Sequence, residues 1–190
     1  MRGRGKYALL ARMNPLARKL ILLNIALDAI VIDQISKWAV TELVIRPKFD
    51  VIFVDLISWI VKAPEKMPYT AIEIFPFFNI VMVWNQGISF GMLGGGAATN
   101  FLIAMPLAIT AFFIVWLFRS TSWFQGVAIA LVIGGAIGNV IDRIRFGAVI
   151  DFLDFHIGDI HYPAFNIADS CVVVGIFLLI FHSIFLEKKA

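Results

Sequence analysis

One cysteine, Cys171, is the whole thiol content of the chain, so no intrachain disulfide can form and the redox compartment is left unread. Charge is scarce too. Only 15% of the 190 residues are Asp, Glu, Lys or Arg, against about a quarter in a soluble domain. Instead 61% are hydrophobic and the mean hydropathy is +0.90. That balance excludes an ordinary soluble domain and reads as an integral membrane protein. No repeat of about 20–50 residues suggests a solenoid, and no tract is of low complexity. Ser89 and Ser170 lack the G-x-S-x-G elbow of a serine hydrolase. His156, Asp159 and His161 match no zinc spacing such as H-E-x-x-H and read as interfacial loop residues, so no metal or cofactor is expected. The net charge of +3 bears on topology in such a chain rather than on nucleic acid.

What the chain does have is four long apolar runs, predicted as spans at about 20–42, 101–118, 124–142 and 168–186. The first lacks the short apolar core and small-residue cleavage site of a signal peptide and reads as an uncleaved span. The mixed stretch 43–100 is expected to form a small extramembrane unit. Within it DLISWIVK reads as a short interfacial helix, Phe77 to Trp84 as a strand, and the glycines at 94–96 as a flexible connector. Between the last two spans lies an expected loop of about 25 residues. The fold class is thus an all-α integral membrane protein with four transmembrane helices, one domain over 1–190, and a small β-rich cradle on the outer face. Arg2, Arg4, Lys6, Arg12, Arg18, Lys19, Arg119, Lys188 and Lys189 fall on one side; Arg46, Lys48, Lys62, Lys66, Arg143 and Arg145 fall on the other. The dense amino-terminal cluster places both termini in the cytoplasm.

The acids then gather at the outer face. Asp33 lies in the outer half of the first span, Asp142 and Arg143 end the third, Asp151 follows in the loop and Asp169 opens the fourth. Taken singly, Asn166 or Asp169 is an ordinary helix cap. Taken together, ionisable groups at the membrane edge point to a shared polar site. Two carboxylates held close share one proton, so that one draws a proton from water while the other polarises a carbonyl. Asp151 and Asp169 are the candidates for such a pair. A proton-coupled transporter using Asp28, Asp33 and Asp142, or a non-catalytic subunit of a membrane complex, are the competing readings. Asp28, about 140° around the helix from Asp33, fits none of them firmly. Cys171 reads as a small buried thiol, and the glycines from Gly134 to Gly138 as close helix packing.

Five blocks occur in order: Asp33-Gln34-Ile35-Ser36-Lys37, Asn85-Gln86-Gly87-Ile88-Ser89-Phe90, Gly138-Asn139-Val140-Ile141-Asp142-Arg143, Val149-Ile150-Asp151-Phe152 and Phe165-Asn166-Ile167-Ala168-Asp169. Together they cover most of the chain and resemble the lipoprotein signal peptidase, or signal peptidase II, family. The resemblance implies a four-helix aspartic endopeptidase of the bacterial inner membrane. Such an enzyme cuts the signal peptide from prolipoproteins just before a diacylglyceryl-modified cysteine. It implies Asp151 and Asp169 as the catalytic pair, and supporting or substrate-binding roles for Asp33, Lys37, Asn85, Gly87, Asn139, Asp142, Arg143 and Asn166. It also implies lipid-modified substrates and membrane lipid as partners and an active site near the outer face; a monomer is expected. Two departures stand out: Ile88-Ser89 replaces the family's usual Ala-Ala, and the region from Arg46 to Phe78 is long, with residues 61–74 as the insertion. That insertion is expected to be a loose outer loop, or else a determinant of substrate choice.

Overall fold

The computed structural model describes residues 14–87 and 96–186. The basic residues at the two ends of the chain, residues 88–90 of the second block and most of the glycine connector lie outside them. Helix α1 spans Pro15–Ala39, entered through Asn14, whose side chain accepts from the Leu16 N–H, with Pro15 at the position where a missing N–H costs nothing. It starts five residues earlier than predicted, then loosens into a wider turn over Val40–Ile45 and a tight one over Arg46–Lys48. Helix α2 is Leu56–Lys62, capped by Asp55 and ended by Ala63 at φ +45°. Strands β1 (Ala71–Phe75) and β2 (Phe78–Asn85) follow, then α3 (Gly96–Arg119), α4 (Trp123–Phe146), β3 (Val149–Ile157), β4 (Ile160–His161) and α5 (Ile167–Phe181). Among the described residues three segments are long and apolar enough to cross a membrane: Asn100–Arg119, Trp123–Phe146 and Ile167–Leu186. Helix α1, carrying Asp28, Asp33 and Lys37, is more polar than these.

Helix α4 is the centre of the bundle. Its glycines let neighbours approach: a methyl group at Gly134 would sit 2.6 Å from the Ala26 carbonyl oxygen, and one at Gly138 would sit 2.7 Å from Asp33 Oδ2. The packing reading of that glycine run therefore holds. At one end of the bundle Leu22, Ala26, Leu117, Ile129 and Ile133 form an apolar core. There Lys19 donates to the Phe118 carbonyl (2.6 Å), near the end of α3, and Arg18 to that of Ser122 (2.7 Å), so the basic start of α1 fastens the turn from α3 into α4.

The opposite end carries the four-stranded antiparallel sheet, ordered β1-β2-β3-β4. The long loop expected before the fourth span is in fact mostly strand, because β3 pairs with β2 (Val83 opposite Asp151, Asn85 opposite Val149) and turns back through β4. Residues 61–74 are not loose either. Met67 is buried, its carbonyl accepts from Trp84 Nε1 at 2.8 Å, and Ala71 and Ile72 pair with β2. A second core, built on Ile45, Trp59, Met67, Met82, Phe146, Ile150 and Phe152, lies beneath the sheet. Cys171 is half-buried rather than buried. Asp28 is exposed on α1, one turn from the exposed Asn24.

Candidate active site

The polar residues at the sheet end of the bundle form two groups. The first is centred on Lys37. Its Nζ lies 2.7 Å from Asp33 Oδ2, one turn earlier on α1, and 2.7 Å from Asp142 Oδ2 on α4, and none of the three side chains is exposed. Charges this deep persist only when their remaining lone pairs are satisfied, and here they are. Asp33 Oδ1 accepts from the Ala168 N–H (2.9 Å), and Asp142 Oδ2 from the Ile150 N–H (3.1 Å). Gln34 Nε2 donates to both carboxylates, at 3.1 and 2.9 Å. This hub therefore ties α1 and α4 to the start of β3 and the start of α5.

The second group holds Asp151 and Asp169, and no cation hydrogen-bonds to either of them among the described residues. Alternation along β3 turns Asp151 away from the core that takes Ile150 and Phe152. Its Oδ1 accepts from Asn166 Nδ2 (2.7 Å) and its Oδ2 from Asn85 Nδ2 (2.8 Å). Asp169 is the third residue of α5. Its Oδ1 accepts from Asn139 Nδ2 (2.7 Å), and its Oδ2 accepts from the Asn166 backbone N–H (3.2 Å). Asn166 Oδ1 in turn accepts from the Asp169 N–H, closing a capping box. Asn166 thus touches both acids. Asn139 joins the two groups, since its Oδ1 accepts from Asn166 Nδ2 (3.1 Å) and from Lys37 Nζ (3.3 Å). Burial pushes the Asp151 carboxyl up to about 7 and the nearby Asp169 charge adds to the rise; the Asn85 amide, the Lys37 charge and the Asn166 amide work against it.

The remaining candidates border the pair. Gly87 stands at φ +74°, its N–H bonded to Asn85 Oδ1 at 2.7 Å, and a methyl group there would meet Leu102 at 2.8 Å. Its tight turn aims Asn85 at Asp151 and passes beside Arg143. The Arg143 charge acts on Asp169, Asp151 and Asp142. From Asp169 a groove of about 330 Å³ runs between α3, α4 and α5, with Asn139 and Arg143 at its polar end and Pro106, Phe113, Val172 and Ile176 among its apolar walls.

The ten residues singled out in the sequence therefore converge. Asp33, Lys37 and Asp142 meet in the hub; Asp151, Asp169, Asn85, Asn139 and Asn166 meet around the pair; Gly87 and Arg143 flank it. The histidines stand elsewhere. The rings of His156 and His161 stack at 4.7 Å, and His161 engages Asp154 at 2.9 Å while Asp159 is exposed. Gln34 and Arg145 were missed as site residues. Gln34 sits inside the first block beside Asp33, which was its only signal. Arg145 showed in the sequence merely as an outer-side charge.

The model of the signal peptidase (SPase) II family matches residues 25–185. The lipoprotein signal peptidase of Aeromonas hydrophila subsp. hydrophila is 37% identical over 170 residues, covering 87% of this chain and 89% of that protein. The lipoprotein signal peptidase of Sphingopyxis alaskensis is 39% identical over 137 residues, covering 70% of this chain and 79% of that one. Among solved structures, a bacterial membrane enzyme determined by the in meso method at 1.9 Å superposes with a TM-score of 0.64 at 29% identity, over 90% of this chain and 94% of that one. The match spans both acid groups and all four long helices, and the chain belongs to the signal peptidase II family.

Proposed function

We propose that the chain removes the signal peptide from prolipoproteins with Asp151 and Asp169 acting on a water molecule, as an aspartic endopeptidase. The observation that carries this reading is the uneven setting of the acids. Asp33 and Asp142 each make contact with Lys37, whereas the hydrogen bonds to the Asp151 and Asp169 carboxylates come from amide N–H groups, beside an apolar groove. Two carboxyls placed together share one proton between them. Asp151, in its protonated form, donates a hydrogen bond to the scissile carbonyl oxygen. Asp169, at the mouth of the groove, takes a proton from water as the water oxygen attacks the carbonyl carbon. The tetrahedral intermediate collapses when Asp169 passes the proton it took from water to the nitrogen of the following residue, the C–N bond breaks, and Asp151 recovers its proton from the former carbonyl oxygen. The asparagines hold both acids in place throughout, so little reorganisation accompanies the reaction.

Four membrane spans, with α1 as the first, fit the bundle. The basic start of α1 lies at the cytoplasmic end together with the α3–α4 turn, and the sheet forms a cradle at the outer face of the bacterial inner membrane. An acid pair at that level reaches a peptide bond next to a cysteine anchored by its diacylglyceryl group, with the apolar signal helix in the groove. One chain supplies every polar group of the site, so a monomer and a single domain suffice. The test compares a diacylglyceryl-modified prolipoprotein with its unlipidated twin in a gel-shift assay. Cleavage of the lipidated form alone is expected; equal cleavage of both would remove the lipid from substrate recognition.

A further inference from the structure

The long segment after Arg46 is fastened to the site by one side chain that lies outside the acid groups. Arg145, in the last turn of α4, is half-buried beneath α2. Its Nη2 donates to the Trp59 carbonyl and its Nη1 to Gln34 Oε1 at 3.2 Å. Its guanidinium lies 4.2 Å from the centre of the Trp59 ring and 4.5 Å from that of Phe146. Each contact has a physical basis. Helix α2 ends abruptly where Ala63 turns left-handed, so its final carbonyls lack helical partners and a cation is favourable there. A planar guanidinium can stack on an indole and donate at its edge at once, which an ammonium cannot. Gln34, at the other end, donates to both Asp33 and Asp142. One chain of contacts therefore runs from the Lys37 hub through Gln34 and Arg145 to α2.

What α2 delivers is Trp59. This side chain is fully buried and packs in the core shared with Met67, Met82, Phe146, Ile150 and Phe152. Ile150 and Phe152 are the two β3 neighbours of Asp151 and point away from it. The wall behind the strand that carries Asp151 is thus built in part from α2 and Met67, and Arg145 holds α2 down. We infer that Arg145 is a positioning residue for peptide cleavage: it clamps α2 against the back of β3 and so fixes the strand that presents Asp151. The inference rests on the two-aspartate reading given above.

The test uses the full chain in lipid nanodiscs with a diacylglyceryl-modified prolipoprotein. Arg145→Met keeps the volume and removes the donors and the charge. It is expected to lower kcat by between about tenfold and a hundredfold, with KM held within about twofold. The alkaline limb of the pH profile should also move to lower pH, as water reaches a less firmly walled Asp151. Arg145→Lys should fall between wild type and Arg145→Met. Trp59→Leu should act in the same direction, and the double variant Arg145→Met/Trp59→Leu should be no worse than the poorer single one, because both remove the same clamp.

Wild-type kcat and an unmoved limb in Arg145→Met would overturn the inference. So would a raised KM at unchanged kcat, or effects of the two substitutions that multiply independently. Should Arg145→Met fail to fold, Arg145→Lys and Trp59→Leu decide by the same readouts. Asp151→Asn in the same assay separates the two levels. If it cleaves at the wild-type rate, the two-aspartate reading fails. If it is inactive beside an unchanged Arg145→Met, the Arg145 inference fails alone.

Discussion

The two acid groups at the sheet end of the bundle share an asparagine, yet one contains Lys37 and the other relies on amides. In the hub a single ammonium sits 2.7 Å from both Asp33 and Asp142, and backbone N–H groups from β3 and α5 take up the remaining oxygens. Around Asp151 and Asp169 the donors are Asn85, Asn139, Asn166 and one main-chain N–H. The lesson is that a buried carboxylate takes its role from its neighbours. Contact with a cation suits it to fastening, and amide donors suit it to the proton exchange proposed for the pair.

The largest expected effect comes from the amide-held pair. Asp151→Asn and Asp169→Asn should each cut the cleavage rate by at least about a thousandfold, while the protein still unfolds cooperatively on heating in detergent. The same substitution in the hub should show itself in stability first. Lys37→Met strands two carboxylates without their cation and should cost about 3–5 kcal/mol, read as a lowered unfolding midpoint. An unmoved midpoint would mean that the hub is not ionised and that the contrast is false. Asn166→Ala removes the side chain that donates to the Asp151 carboxylate and accepts from the Asp169 N–H, and it opens the capping box. A loss of about 0.5–2 kcal/mol from the cap, together with a clear drop in kcat at unchanged KM, would mark Asn166 as aligning the pair.

The pH response sharpens the comparison further. Burial raises Asp151 to about 7, above its value in an unfolded chain. Between the ordinary carboxyl range and pH 7 the unfolded chain releases a proton that the folded one keeps, so stability should decline as pH rises through that window. Asp151→Asn should flatten this decline, and thermal unfolding across pH 4–8, on the order of the window just named, reads it directly. Cleavage should fall on the alkaline side as the shared proton is lost. The smallest effect should come from Asp28, exposed on α1 away from both groups. Asp28→Leu is expected to leave the cleavage rate within about twofold of wild type. A larger loss would add a third functional acid.

Much of this was legible in the sequence because the signals are local. Asp33 and Lys37 at one-turn spacing, Asn166 three residues before Asp169, and the four apolar runs each announce themselves within a few residues. The loop expected before the last helix became β3 because strand pairing with β2 is a long-range event, and alternation in VIDFLDFHI is masked by burial on both faces. The inserted segment reads as loose from its prolines and charges, while its Met67 packs against residues far along the chain. Preferring Asp151 to Asp142 came from the family resemblance rather than from spacing, since both are aspartates near a helix end; the fold adds that Lys37 lies against Asp142.

The most direct test of the central claim is the cleavage rate of Asp169→Asn on a diacylglyceryl-modified prolipoprotein, measured beside Asp142→Asn and wild type after each is shown to be folded. The account predicts that folded Asp169→Asn is inactive, while Asp142→Asn loses stability and retains more activity for each folded molecule. Near wild-type cleavage by Asp169→Asn would contradict the account outright.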